Sequence, residues 1–175
     1  MTYRYPALTR VLHWLTAAGL LAVVALGLSM TWYEPKREPL KFLLYDVHES
    51  TGVALFVVVL LRLIRRLAAP PGPLPQDIPW HFRAAAHANH AMLYAVLLIQ
   101  PVIGFFATNA WGFPLVWAGW LPIPSPLGKN QTLAPMFSAM PGYTALTLVL
   151  LVGAHLGGAC YHGVIRRDGV VRRML

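Results

Sequence analysis

Histidine is the residue type that carries the chemistry of this chain. Of seven histidines, six fall inside or at the ends of long apolar runs: His13, His48, His87, His90, His155 and His162. The last run holds the most telling pair, His155-Leu-Gly-Gly-Ala-Cys-Tyr-His162. Seven residues is close to two helical turns, so these imidazoles share one helix face within about 20°. Gly157, Gly158 and Ala159 leave that face nearly bare of side chains. An ionisable residue inside a membrane helix points to function. Neutral imidazole is a common metal ligand and an axial ligand of haem. A flat cofactor held by two imidazoles against a Gly/Ala surface accounts for both the histidines and the small residues.

Other redox and metal chemistries are excluded by what is missing. The single Cys160 rules out an internal disulfide and any Cys-ligated iron–sulfur or structural zinc site. No carboxylate lies in the middle of an apolar run, which argues against a di-iron carboxylate centre. Asp46 and Glu49 sit only at the edge of one. His81 reads as a solvated residue of a linker.

The elements that must position these histidines are membrane helices. The 175 residues are 57% hydrophobic and 11% charged, with a mean hydropathy of +0.56, a membrane composition. Four segments, roughly 8–33, 42–64, 84–109 and 142–165, are long enough to cross a hydrocarbon core, which takes about 20 residues. They predict an all-α, four-transmembrane-helix bundle forming one domain over 1–175. The first run is longer than a signal-peptide core of about 7–15 residues and reads as a retained helix. Pro101 predicts a kink in the third helix. The net charge of +8 does not form a nucleic-acid stripe, because the basic residues cluster at the ends of apolar runs. Ten of the fourteen Lys and Arg lie at the N-terminus, the second loop and the C-terminus. Lys36, Arg37, Lys41 and Lys129 lie opposite, so both termini are expected on the cytoplasmic side. The loop 110–141 mixes prolines with Trp111, Trp117 and Trp120, which read as interface anchors or as the lining of a mouth over the bundle.

Depth sorts the histidines. At about 1.5 Å per residue from each helix's cytoplasmic arginine, His13, His87, His90 and His162 lie within about 10 Å. His155 lies about 16 Å in, and His48, about 26 Å in, is near the outer face. Small residues at helical spacing accompany several of them: Ala17 after His13, Gly52 after His48 and Ala86 before His90.

The chain resembles the bacterial cytochromes of the b-561 type over essentially its whole length. The resemblance rests on Arg10-Val-Leu-His13-Trp14, on His48-Glu-Ser-Thr-Gly52 followed by Leu61-Arg62-Leu63-Ile64-Arg65, on His87-Ala-Asn-His90-Ala-Met-Leu-Tyr94 with Pro101-Val-Ile-Gly104, and on His155 to His162 followed by Arg172-Arg173-Met174-Leu175. It implies a four-helix bundle of the bacterial inner membrane with two b haems. It also implies axial ligands His13, His48, His90 and His155, with His13 paired to His90 and His48 to His155. His87 rivals His90, which is favoured by its His-x-x-Leu-Tyr context. The best understood small members of the family pass electrons from superoxide to ubiquinone. That implies an oxidoreductase with superoxide arriving from the periplasm, steered by Lys36, Arg37, Lys41 and Lys129. Glu34, Glu38, Asp46 and Glu49 offset that charge on the first loop. His162 and His87 would serve the quinone and its protons. The alternative is an electron-transfer subunit joining a dehydrogenase or hydrogenase partner to the quinone pool.

Overall fold

The computed structural model describes residues 4–32, 38–72 and 77–175. Four long helices dominate it: α1 (Ala7–Trp32), α2 (Glu38–Ala68), α3 (Trp80–Trp111) and α4 (Ala134–Cys160). Each is long and apolar enough to cross a membrane, as the hydropathy runs predict. Their large apolar side chains point outward: Leu21 is 73% and Leu150 67% exposed. In water that arrangement would be a liability; against lipid tails it is the ground state, since tails are as apolar as leucine.

Contacts between helices pair residues that climb one helix while descending its neighbour, so the bundle is antiparallel throughout. Gly19 meets Leu55 and Gly27 meets His48 between α1 and α2. Arg62 lies over Tyr94 and Glu49 accepts a hydrogen bond from Thr108 between α2 and α3. Asn89 donates to the Leu151 carbonyl and Trp111 to Ser138 between α3 and α4. One end of the bundle therefore gathers both chain termini and the α2–α3 linker, the terminal end. The other gathers the α3–α4 loop, the hairpin end.

The helices run past the apolar windows. Helix α4 starts at Ala134 rather than near 142: a turn in which the Asn130 side chain accepts hydrogen bonds from the Thr132 and Leu133 amides leads into it, and Pro135 occupies its first turn. Helix α3 starts at Trp80, which places His81 in its first turn rather than in a linker. It runs through Pro101 without interruption. At the same depth Gln100 bridges to α4, donating to the Pro141 carbonyl and accepting from the Thr144 hydroxyl.

The loop 110–141 contains an antiparallel hairpin that the hydropathy pattern does not reveal, with β1 (Val116–Trp117) paired to β2 (Leu121–Pro122). Its turn needs positive φ at Ala118 and Gly119 (53° and 78°). The hairpin is fastened to α2: Trp117 Nε1 donates to the Ser50 carbonyl at 3.1 Å and the Ala118 amide to Ser50 Oγ at 3.0 Å. Trp120, 68% exposed, keeps the anchor position. Trp117 is instead half-buried and tied to α2.

The interior is sparsely filled. The main buried cluster joins Leu55, Val59, Leu97 and Leu148 at mid-depth. Helices α1 and α2, α2 and α3, and α3 and α4 pack along one another, whereas α1 and α4 scarcely touch. The accessible surface is 11525 Å², against about 8,500 Å² for a compact soluble chain of this mass. Space is left above and below the central cluster, and the histidines lie at those two levels.

Candidate functional site

At the terminal level three imidazoles come together. The His155 ring centroid lies 6.2 Å from that of His13 and 5.3 Å from that of His90. His155 thus crosses to α1 where α1 and α4 otherwise stand apart, and also meets its neighbour α3. His13 Nδ1 is buried without a hydrogen-bond partner. Among the described residues no group of three His, Cys, Asp or Glu closes round a single metal ion; His155 is the ring common to both contacts. On α4, side chains added at Gly153, Gly157 or Gly158 would meet nothing within 4 Å. These glycines therefore do not serve close helix packing, unlike Gly19, whose added Cβ would stand 3.1 Å from Leu55 Cδ1.

At the hairpin level His48 stands without a second histidine. Its ring is held against α1, where an added Cβ on Gly27 would lie 3.4 Å from His48 Cε1. His48 Nδ1 is buried and unpartnered, and Gly52, one turn away, faces open space. The pairing of His48 with His155 is not what the structure brings together: the ring contacts of His155 are with His13 and His90. The depth ruler already separated His155 from His48 by about 10 Å, and antiparallel packing widens that offset. His13 and His90 are linked only through His155. Between the rivals on α3, His90 faces the bundle whereas His87 is exposed.

His162 belongs to a polar knot where α4 ends. The chain passes into a π-helical turn, Tyr161–Arg166, then reverses through positive φ at Arg167 and Gly169. That reversal returns Asp168 to His162, with Nδ1 and Oδ2 2.6 Å apart. Arg166 pairs with Asp168 at 3.2 Å and also with Asp77 of the α2–α3 linker. Burial pushes the Asp168 carboxyl up. Hydrogen bonds from His162 and the Val170 amide, with the charges of His162 and Arg166, outweigh it and hold the carboxyl below its usual range.

Of the four cations at the hairpin end, Lys36 and Arg37 lie outside the described residues. Lys41 is half-buried in the first turn of α2. Lys129 is exposed at its tip and lays its stem over Gly112.

A model of the prokaryotic cytochrome b561 family matches residues 4–175. The chain belongs to that family. It is 31% identical over 180 residues to "Cytochrome b561 homolog 2" of Escherichia coli (strain K12), covering 98% of this chain and 91% of the relative. It is 25% identical over 169 residues to "Cytochrome b561 homolog 1" of the same organism, covering 94% and 92%. It is also 25% identical over 182 residues to "Probable superoxide oxidase CybB" of Yersinia pestis, covering 100% and 97%.

As a cytochrome b561 the chain is a multi-pass protein of the bacterial inner-membrane type that binds haem b and transfers electrons. The terminal level fits that group: two imidazoles drawn from His13, His90 and His155, an orphaned ring nitrogen, and Gly158, which lies nearly one turn beyond His155 and faces open space. The hairpin level fits it with one imidazole. Several residues around the terminal level escape the search for histidines. Arg62 and Arg66 stand four apart on α2, with their guanidinium carbons 5.4 Å and 5.8 Å from the centre of the Tyr94 ring. Tyr94 lies one turn from His90 on α3, so both guanidinium groups stand beside the terminal histidine level, where they could meet an anionic group. The four-residue spacing of the two arginines, at a depth where charge is costly, is the signal that could have found them.

A groove at the same end lies between α1 and the C-terminal tail. Its volume is about 430 Å³, lined by Arg10, Val11, Trp14, Leu15 and Met174 among others. Trp14 Nε1 donates to the Met174 carbonyl, Arg4 and Arg10 to the Leu175 carbonyl. The Trp14 ring contacts His13 at 5.2 Å between centroids. The groove therefore lies one side chain away from the histidine cluster.

Proposed function

We propose that this protein oxidises superoxide at the hairpin end, facing the periplasm, and reduces ubiquinone at the terminal end, facing the cytoplasm. Two b haems, one at each histidine level, would carry one-electron chemistry between them. The observation that carries the reading is the separation of the histidines into two levels on opposite sides of the Leu55–Val59–Leu97–Leu148 cluster. A single level would make a redox protein of one membrane face; two levels make a path across it. The relative named a probable superoxide oxidase, aligned over the whole chain, supports the choice of donor.

The balance is simple. Two superoxide anions leave as two molecules of dioxygen, and the quinone takes up the two electrons and two protons. At the terminal end, the apolar groove beside Trp14 suits a lipid-soluble ring, and buried Arg10 Nε, which has no hydrogen-bond partner, is a donor for a quinone carbonyl. His162, held by Asp168 in a stable orientation, is placed to take protons from the cytoplasmic water. At the hairpin end Lys41 and Lys129, with Lys36 and Arg37 of the α1–α2 connection, would raise the local concentration of an anion. The hairpin covering Ser50 limits access to the His48 level to small molecules.

The reading is tested by mixing the oxidised holoprotein with superoxide and a short-chain ubiquinone. Rapid haem reduction followed by ubiquinol formation is expected. Haems that stay oxidised while superoxide decays at its spontaneous rate would remove the donor assignment and leave the electron-transfer subunit reading, in which a dehydrogenase or hydrogenase supplies the electrons.

A further inference from the structure

The two histidine levels differ in their ligand sets, and the difference has a spectroscopic consequence. At the terminal level three imidazoles compete for two axial positions. At the hairpin level His48 is the only histidine any helix brings. The helix registers define what else stands there. Helix α1 offers Gly27. Helix α3 offers Thr108 and Asn109, whose side chains are committed to Glu49, the Gly104 carbonyl and the Phe105 carbonyl.

Helix α4 is the element that supplies His155 to the terminal level. Four turns earlier, about 20 Å away along the helix, it presents Pro141 and Gly142 at the hairpin level. A Cβ added to Gly142 would meet nothing within 4 Å, so the position is open and carries no donor. Thioethers do not substitute for the missing imidazole. Met136 and Met140 of α4 are 52% and 40% exposed and face outward. Met30 is on α1, the helix that lies against the Nδ1–Cε1 edge of the His48 ring itself. The two axial ligands of one iron lie on opposite sides of the macrocycle, so a residue backing His48 is on the wrong side.

We infer that a haem at the hairpin level is held by His48 alone, with no ligand for its opposite axial position among the described residues, whereas the terminal haem has two imidazoles. The terminal haem is then low-spin and closed. The hairpin-level haem is high-spin and open to a small exogenous ligand, on the face turned toward Pro141 and Gly142 of α4. This rests on the family's haem b and on the placement of these residues, and does not depend on superoxide or quinone being the substrates.

The test uses the purified wild-type holoprotein, with haem per chain measured by pyridine haemochrome. The dithionite-reduced protein is then titrated with carbon monoxide, and the oxidised protein examined by electron paramagnetic resonance. The expected result is one carbon monoxide bound for every two haems, with one low-spin and one high-spin ferric signal. Imidazole added to the oxidised protein should convert the high-spin signal to low-spin and leave the other unchanged. The variant His48→Ala should lose the carbon monoxide-binding half of the haem and keep the low-spin half. Two low-spin haems that do not bind carbon monoxide would overturn the inference, whether the second ligand were histidine or methionine. So would a single haem whose amount is unchanged in His48→Ala, because His48 would then hold none.

Discussion

Gly27 offers the sharpest perturbation of the hairpin level without touching a ligand. An alanine Cβ there would stand 3.4 Å from His48 Cε1 and 3.8 Å from Nδ1. Carbon–carbon contacts are optimal at about 3.5–4.0 Å, so Gly27→Ala should fit with a shift of about a tenth of an ångström. Alanine is also favoured over glycine in a helix by about 1 kcal/mol. Gly27→Leu adds three further carbons in the volume that the imidazole fills, and overpacking of this kind costs about 1–3 kcal/mol. If that cost falls on the His48 position, haem retention at this level weakens by about 5- to 150-fold. The assay is haem per chain and carbon monoxide binding after gel filtration. Gly19→Ala is the control, since its added Cβ meets Leu55 Cδ1 at 3.1 Å and should lower the melting temperature without releasing haem. Full haem occupancy and carbon monoxide binding in Gly27→Leu would refute the reasoning that Gly27 positions His48.

Other outcomes follow from the terminal end and the bundle core. Arg62→Gln removes a cation that lies over Tyr94, one turn from His90, so the midpoint potential of the terminal haem should fall by about 60 mV, tenfold in the one-electron equilibrium; an unchanged redox titration would count against its placement. The Asp168 carboxyl, depressed from its ordinary 3.8, stabilises the fold fully above that value, and the contribution is lost as pH falls through the lower folded-state pKa. Asp168→Asn should therefore lower the melting temperature at neutral pH and converge with the wild type as pH falls through the folded-state pKa, which flattens the acid limb of the profile. Val59→Ala, at a side chain 1% exposed, should cost about 1–2 kcal/mol through lost packing contacts, read by thermal unfolding in detergent. Trp117→Phe removes the hydrogen bond to the Ser50 carbonyl, worth about 1 kcal/mol, and should speed proteolysis within the hairpin.

The helices were legible in the sequence because membrane insertion imposes a length and a composition that a single chain displays openly. Their ends were not, since the Asn130 turn that leads into α4 and Pro135 in its first turn are local features that hydropathy does not register. The tight hairpin at Ala118 and Gly119 was hidden in a loop whose prolines and tryptophans suggested only an interface. The histidines announced themselves by type and cost, and depth alone isolated His48. Partnership among the others needed the rotation of each helix, which spacing within one helix cannot supply. That is why His155 meets His13 and His90 in space although the family pattern suggested His48. Arg62, Arg66 and Tyr94 were read as topology and context, and only packing of α2 against α3 shows them as one group.

The most direct test of the account is a stopped-flow measurement on the wild-type holoprotein reconstituted in lipid vesicles with ubiquinone. Superoxide generated outside the hairpin end should reduce haem within the mixing experiment and then yield one ubiquinol for every two superoxide anions consumed. Unreduced haem, with no ubiquinol formed above the protein-free vesicles, would contradict it.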